Sequence, residues 1–312
     1  MKIGLDVMGG DFAPEKTMAG AILAQKELPS YDRIVLIGDK DLIHQYLKNE
    51  NLPTGDFDIV HAPETIGMGE HPIKAFSQKP NSSISTGFRL LKSNEIDAFA
   101  SAGNSGVMLV GSMYSVNTIP GIIRPCISAI IPKENGKVGV LLDIGTNPDC
   151  KPDVMYQLAI LGSLYANYVY DIEDPKIGLL NIGEEEEKGS ILTQSVYRLM
   201  KNSNDFNFIG NVESRDLFND KADVVVTDGF TGNVLIKQVE AIFEIMNKRG
   251  LVDDYFSRFN YENYGGSPIL GINATVVLGH GISNEKAIKN MILLTKDVHD
   301  ADLSKKIKKA LS

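Results

Sequence analysis

The chain has 312 residues, with 40 Asp and Glu against 31 Lys and Arg, a formal charge of −9. That balance excludes a nucleic-acid binder, which needs a basic face against phosphate backbones. Hydrophobic residues at 43% and charged residues at 23% describe a globular chain, long enough to bury roughly three quarters of its unfolded surface.

No run of about 18 apolar residues is present, so no spanning helix is predicted. The start, Met1-Lys2-Ile3-Gly4-Leu5-Asp6, carries an acid where a signal peptide has its apolar stretch. A cytoplasmic, soluble protein is expected.

A strand is predicted over residues 3–7, a helix over 14–27, a strand over 34–37 and a helix over 41–49. Then come a strand at 57–60, a helix at 85–92, a strand at 98–100 and a helix at 105–116. Two strands, 127–131 and 138–142, precede a helix at 152–170. A strand at 177–181, a helix at 190–201, strands at 207–209 and 224–227, and a helix at 232–248 follow. A strand at 275–278 leads into a helical stretch, 283–311, with room for two helices. Most strands are continuous Val, Ile and Leu runs, as in strands buried on both faces. The alternation predicts an α/β, doubly wound fold with a mostly parallel sheet. A single catalytic domain over 1–312 is expected, with a division into two lobes left open.

Six strands run into short loops rich in Gly with Asp, Asn, Ser or Thr. They are Asp6-Val7-Met8-Gly9-Gly10-Asp11, Ser101-Ala102-Gly103-Asn104-Ser105-Gly106 and Asp143-Ile144-Gly145-Thr146-Asn147. The others are Asn181-Ile182-Gly183-Glu184-Glu185, Thr227-Asp228-Gly229-Phe230-Thr231-Gly232-Asn233 and Gly279-His280-Gly281-Ile282-Ser283. In a parallel sheet such loops gather at the carboxyl edge, where ligands bind. Gly admits a ligand close to the backbone, and a capped helix start aims N–H groups at an anion. One such loop is ordinary turn chemistry; six favour a phosphate-type pocket. Neither the dinucleotide pattern Gly-x-Gly-x-x-Gly nor the P-loop is present, which weighs against nicotinamide cofactors and nucleoside triphosphates. No metal-ligand spacing occurs. Cys126 opens an apolar run and reads as a buried small hydrophobe. Cys150 precedes Lys151 on a loop, which leaves a lowered pKa open; with no His within twenty residues, a catalytic thiol is disfavoured.

The loop motifs, in this order and joined by Tyr264-Gly265-Gly266-Ser267-Pro268, resemble those of the phosphate acyltransferases, the bacterial fatty acid/phospholipid synthesis proteins of the PlsX family. The matching segments spread over nearly the whole chain. The resemblance implies a three-layer α/β/α fold related to phosphotransacetylases and isocitrate/isopropylmalate dehydrogenases, and a homodimer. It implies a reaction in which an acyl carrier protein thioester and inorganic phosphate give acyl phosphate and free carrier. The product would feed a membrane glycerol-3-phosphate acyltransferase, a candidate partner. No cofactor is called for.

Phosphate is already an anionic nucleophile at neutral pH, so helix N-termini and a Lys suit the chemistry better than a triad. Lys188, after Glu184-Glu185-Glu186-Glu187, is the candidate for phosphate or the developing oxyanion; a solvated helix start is the alternative. Asn104 and Ser105, after Gly103, open a helix whose N–H groups can point into the pocket, or form an ordinary cap. Asp143, Asn147, Asp228 and Asn233 orient loops or hydrogen-bond substrate, with Gly183 beside them. Asp6 and Asp11 do likewise or brace the first turn. His280 is a candidate proton donor to the leaving thiolate, against a solvent-facing role. Arg124 of Arg124-Pro125 either neutralises phosphate or braces its loop. Met68-Gly69-Glu70-His71-Pro72 with Lys79 resembles a family segment expected to form a mobile loop over the site. Thr146, Ser105 and Ala274 stand where the family commonly has Ala, Thr and Gly.

Between Lys237 and Tyr264 the family usually carries a longer helical insertion, associated with dimer contact and membrane association. Here the segment 237–264 is short, with apolar residues from Ile242 to Phe259 at roughly helical spacing. Core packing, or a dimer contact with part of an acyl pocket, are the two readings. Peripheral membrane association is the weakest carry-over, because the tip is acidic at Asp253-Asp254. An acidic carrier requires local positive charge; Lys305, Lys306, Lys308 and Lys309 form one patch, and Lys237, Arg249 and Arg258 the rival. A phosphotransacetylase using coenzyme A thioesters and a phosphate- or nucleotide-binding module without catalysis are the competing functions.

Overall fold

The computed structural model describes residues 1–311. The strands in chain order are β1 (Lys2–Asp6), β2 (Arg33–Gly38), β3 (Asp58–His61), β4 (Ala98–Ser101), β5 (Cys126–Pro132) and β6 (Val138–Leu142). They continue as β7 (Lys176–Leu180), β8 (Asn207–Val212), β9 (Val224–Val226), β10 (Gly266–Leu270) and β11 (Thr275–Gly279). The helices are α1 (Glu15–Glu27), α2 (Lys40–Asn49), α3 (Pro72–Gln78), α4 (Ser83–Lys92) and α5 (Ser105–Gly111). They continue as α6 (Pro152–Tyr170), α7 (Ile191–Met200), α8 (Gly229–Lys248), α9 (Glu285–Asp300) and α10 (Leu303–Ala310).

The chain forms two compact units, Met1–Thr118 with Tyr261–Ser304, and Ile119–Asn260 with the segment from Lys305. In the first, the strand order is β3-β2-β1-β4-β11-β10. All of these pair in parallel except β10, which runs antiparallel to β11. Side chains alternate across the sheet. Ile3 and Leu5 of β1 pack with Met18 of α1 and Ile288 and Met291 of α9 on one face. On the other face the Phe99 ring of β4 meets Phe88 of α4 edge-on at 5.2 Å. Each fully buried Ile, Leu or Phe contributes about 1.5–3 kcal/mol, so both faces must be covered, and three layers result.

The second unit repeats the logic with the order β5-β6-β9-β7-β8, parallel except for β5. Leu142 and Val224 meet α6 at Gly162 on one face. Leu141 and Val225 pack with Leu235 and Ile236 of α8 on the other. The expected α/β/α class with a mostly parallel sheet is therefore what the chain builds.

The differences from the predicted elements have local causes. β10 went unpredicted because Gly266-Ser267-Pro268 reads as a turn; in the sheet Pro268 simply pairs with Val277. α3 starts at Pro72, whose missing N–H is harmless in a first turn. α8 begins three residues earlier than predicted, capped by Asp228. The predicted 105–116 helix ends at Gly111, and a π-turn follows over Ser112–Val116.

Candidate active site

Three of the six loops leave the carboxyl ends of parallel strands in the first unit, after β1, β4 and β11. They are tied to one another. Asp11 N donates to the Gly281 oxygen at 2.8 Å. A Cβ on Gly9 would lie 2.3 Å from Asp6 Oδ2 and 2.8 Å from Gly103 N, so glycine alone lets the first loop rest on the second. Asp6 is wholly buried and accepts from Ser101 Oγ at 2.6 Å and Met8 N at 3.0 Å. Ser101 Oγ accepts in turn from Gly103 N at 2.9 Å. Burial pushes the Asp6 carboxyl up against the opposing pull of these hydrogen bonds. Its geometry is that of a brace between two loops. The Asp11 side chain is exposed.

Asn104 is buried and spends its whole amide on protein. Oδ1 accepts from Val107 N at 3.1 Å as the cap of α5. Nδ2 donates to the carbonyl oxygens of Gly67, Met68 and Glu70 at 3.3, 2.9 and 3.0 Å. Glu70 accepts from Gly67 N at 2.7 Å and pairs with Lys79 at 2.6 Å, which holds its carboxyl below the usual range. The 67–70 segment is thus fastened to the start of α5. Gly103 is buried, while Ser105, the first helical residue, is exposed. His280 is exposed, its ring 5.3 Å from that of Tyr261.

The other three loops follow β6, β7 and β9 in the second unit. Asp143 is wholly buried. Its Oδ2 accepts from Asn147 N at 2.6 Å and Asn147 Nδ2 at 2.9 Å, and its Oδ1 from Thr146 N at 3.2 Å. Burial pushes its carboxyl up as well. Asn147 Nδ2 also donates to the Pro125 oxygen at 2.9 Å. β5 is antiparallel to β6, so this bond fixes Arg124 beside the carboxyl end of β6. Asp228 caps α8, accepting from Thr231 N and Oγ1 at 2.8 Å each. Asn233 Nδ2 donates to the Ile144 oxygen at 3.1 Å, tying α8 to the β6 loop.

The loop after β7 carries the acidic run. Glu184 pairs with Lys221 at 2.6 Å and Glu186 with Lys201 at 2.5 Å. Lys188 is exposed, beside buried Gly183. Its backbone bonds to Glu185 and Asn181, but its Nζ has no hydrogen bond or ion pair among the described residues. The run is not a helix start, because α7 begins only at Ile191 with Ser190 as its cap. Arg124 is likewise exposed, and its guanidinium has no ion pair among the described residues. The loop-bracing salt bridge weighed for Arg124 is therefore not formed among the described residues.

The lowered pKa left open for Cys150 is not what its surroundings produce. Its thiol is pushed up to about 12, chiefly by burial and then by the charges of Asp143 and Asp228, which outweigh Arg124. Cys126 is fully buried, its thiol also raised by burial. Among the described residues no three His, Cys, Asp or Glu side chains come together as metal ligands. Sequence reasoning missed Ser101 and Asn181, which hold loop backbones; both stand within the quoted loops, but a pattern does not reveal which polar atom faces the backbone.

Buried carboxylates that hold loops, with exposed cations and helix starts at the same strand ends, suit an anionic substrate. This architecture is shared with solved acyl-group enzymes at low identity. A phosphotransacetylase from Streptococcus pyogenes superposes with a TM-score of 0.67 at 17% identity, covering 96% of this chain and 94% of that one. A branched-chain phosphotransacylase from Enterococcus faecalis V583 gives 0.65 at 16% identity, covering 96% and 99%. Fold and site together define an α/β protein with the fold seen in phosphotransacetylases. Residues 1–249 match the family described as "Fatty acid synthesis protein". A phosphate acyltransferase of Dictyoglomus thermophilum is 41% identical over 331 residues, taking in all of this chain and 98% of that one. The chain belongs to the phosphate acyltransferase family and is an acyltransferase.

Proposed function

We infer that this acyltransferase moves a fatty acyl group from the thioester of an acyl carrier protein to inorganic phosphate, releasing acyl phosphate for phospholipid synthesis. The observation that carries the phosphate side is Lys188, whose Nζ has no partner among the described residues, in a run of four acids of which Glu184 and Glu186 pair elsewhere. In this reading Lys188 and Arg124 hold the phosphate. One phosphate oxygen attacks the thioester carbon, and charge collects on the former carbonyl oxygen. Lys188 faces that charge as it forms. The C–S bond then breaks and the thiolate leaves, taking a proton from solvent. Within the first unit, Ser105, the N–H groups at the start of α5 and His280 are the proposed substrate contacts. Asp6, Asp143, Asn147, Asp228, Asn233 and Asn104 act as positioning residues, because their polar atoms are spent on loop backbones. Gly183 lets Lys188 fold close to its own loop.

The basic helix α10, with Lys308 exposed on it, suits the acidic carrier. In the rival patch, Arg258 Nη1 donates to the Lys133 oxygen at 2.9 Å and Nη2 to the Lys137 oxygen at 2.6 Å, so its guanidinium is engaged within the chain. A homodimer and a membrane-bound glycerol-3-phosphate acyltransferase that consumes the product complete the reading. No helix among the described residues is long and apolar enough to cross a membrane.

The test is incubation of the protein with hexadecanoyl carrier protein and phosphate, with mass detection of acyl phosphate. Acyl phosphate formed from the carrier thioester is the expected result. Turnover of the coenzyme A thioester alone would favour a phosphotransacetylase, and no product from either would leave a binding module.

A further inference from the structure

Lys188 sits on a loop that is fastened on every side. Lys188 N donates to the Glu185 oxygen at 3.1 Å, and Asn181 Nδ2 donates to the Lys188 oxygen at 3.1 Å. Gln194 Nε2 holds the flanking carbonyls, donating to the Glu187 and Gly189 oxygens at 2.8 and 3.3 Å. The Lys188 stem folds over Gly183, where a Cβ would stand 3.1 Å from Lys188 Cγ. The same point lies 3.1 Å from Glu185 Oε2, a carboxylate with no ion pair among the described residues. Other lysines of this unit are engaged or hidden. Hydrogen bonds to Glu186 and Glu184 hold Lys201 and Lys221 protonated above the usual range. Burial pushes Lys133 down, but its side chain is 2% exposed and out of a reagent's reach. Lys188 combines a fixed backbone, an exposed side chain and an Nζ with no partner among the described residues.

We propose that Lys188 is a self-acylation site, modified by the acyl phosphate that forms beside it, and that this amide silences the enzyme when product accumulates. The inference rests on the transfer reaction argued above. Acyl phosphate is a mixed anhydride, with phosphate as a ready leaving group. Left in place, its carbonyl carbon faces the same Nζ that met the oxyanion. The ammonium gives one proton to Glu185 or solvent, and the freed amine attacks that carbon. The C–O bond to phosphate breaks, and phosphate leaves with a second proton from nitrogen. In sum, acyl phosphate dianion and ammonium give amide, hydrogen phosphate dianion and one proton. The amide carries no charge and holds neither phosphate nor oxyanion. A consuming reaction that drains acyl phosphate therefore protects its supplier, and a backlog shuts it down.

The probe is synthetic octanoyl phosphate, added to the protein without thioester and followed by peptide mass mapping. Lys92, exposed at the end of α4 and without an ion pair among the described residues, reports plain solution reactivity. Lys188 should gain its octanoyl group about ten-fold faster than Lys92 or more, because binding pre-positions the two reactants. Added inorganic phosphate should slow labelling at Lys188 and leave Lys92 unchanged. Turnover should fall in step with the labelled fraction. Equal labelling of the two lysines, or lost turnover with Lys188 unmodified, overturns the proposal. Lys188→Arg keeps the charge without the amine. It should hold its own rate through an incubation that silences the wild type, and a parallel decline overturns the proposal. If the wild type makes no acyl phosphate from any thioester, the transfer reaction falls instead; labelling by added octanoyl phosphate is read by mass alone and does not depend on it.

Discussion

A Cβ on Gly232 would stand 2.0 Å from the backbone oxygen of Asp143. The first turn of α8 therefore lies directly on the loop after β6, and the Asn233 bond to Ile144 holds it there. Gly232→Ala should force the two apart. We expect a loss of about 1–3 kcal/mol in urea unfolding, together with a fall in kcat, since the same displacement moves the Asp143 loop. An alanine variant as stable and active as the wild type would show that α8 does not position this loop.

Lys188 makes the opposite prediction, a large effect on rate with little on stability. Its Nζ has no partner among the described residues, so Lys188→Ala should change the unfolding free energy by less than about 0.5 kcal/mol. If it holds phosphate or the oxyanion, kcat/KM for phosphate should fall by about 10²–10³. Lys188→Arg should recover part of the loss. Steady-state rates followed by release of free thiol provide the measurement.

Asp6 and Asp143 give stability a defined pH dependence. Both are buried, and burial raises both above the ordinary value of 3.8. Above that pH the unfolded chain has lost protons that the native chain still holds. Stability contributed by these groups therefore falls as pH rises from 3.8 through the raised native values. Asp6→Asn does not titrate there. Relative to this variant, the wild type should lose stability as the pH rises above 3.8. Urea unfolding of both proteins across that range checks it; a flat difference, or one of the opposite sign, contradicts the assignment.

Cys150 should be inert. With its thiol pushed up to about 12, only about one part in ten thousand is thiolate at pH 8. Iodoacetamide at that pH should neither label Cys150 within an hour nor reduce turnover, and Cys150→Ser should keep near-normal rates. Rapid inactivation protected by substrate would mean the thiol is far more acidic than its surroundings imply.

These predictions divide along a line already visible in the chain. The six Gly-rich loops were legible as a set, because strand–loop–helix spacing is local and each loop has the same turn chemistry. Ten of the eleven strands were legible too, since Val, Ile and Leu runs leave little alternative to a buried strand. The exception, β10, contains Gly266 and Pro268, and only pairing with β11 makes it a strand.

The division of labour among the polar residues was not legible. Asp6, Asn104 and Asn147 look like site residues in the sequence, yet their atoms are spent on Ser101, on Met68 and on Pro125. Conversely, Lys188 stands in an acidic run where pairing with its neighbours would be assumed; the distant Lys221 and Lys201 take Glu184 and Glu186 instead. The pKa of Cys150 went the same way, raised chiefly by burial and then by the charges of Asp143 and the more distant Asp228. The sequence by itself determined the fold class, the loops and the family, because these depend on local periodicity and on ordered motifs. Only the tertiary structure decided which polar atoms remain available, because that depends on partners brought together from distant positions.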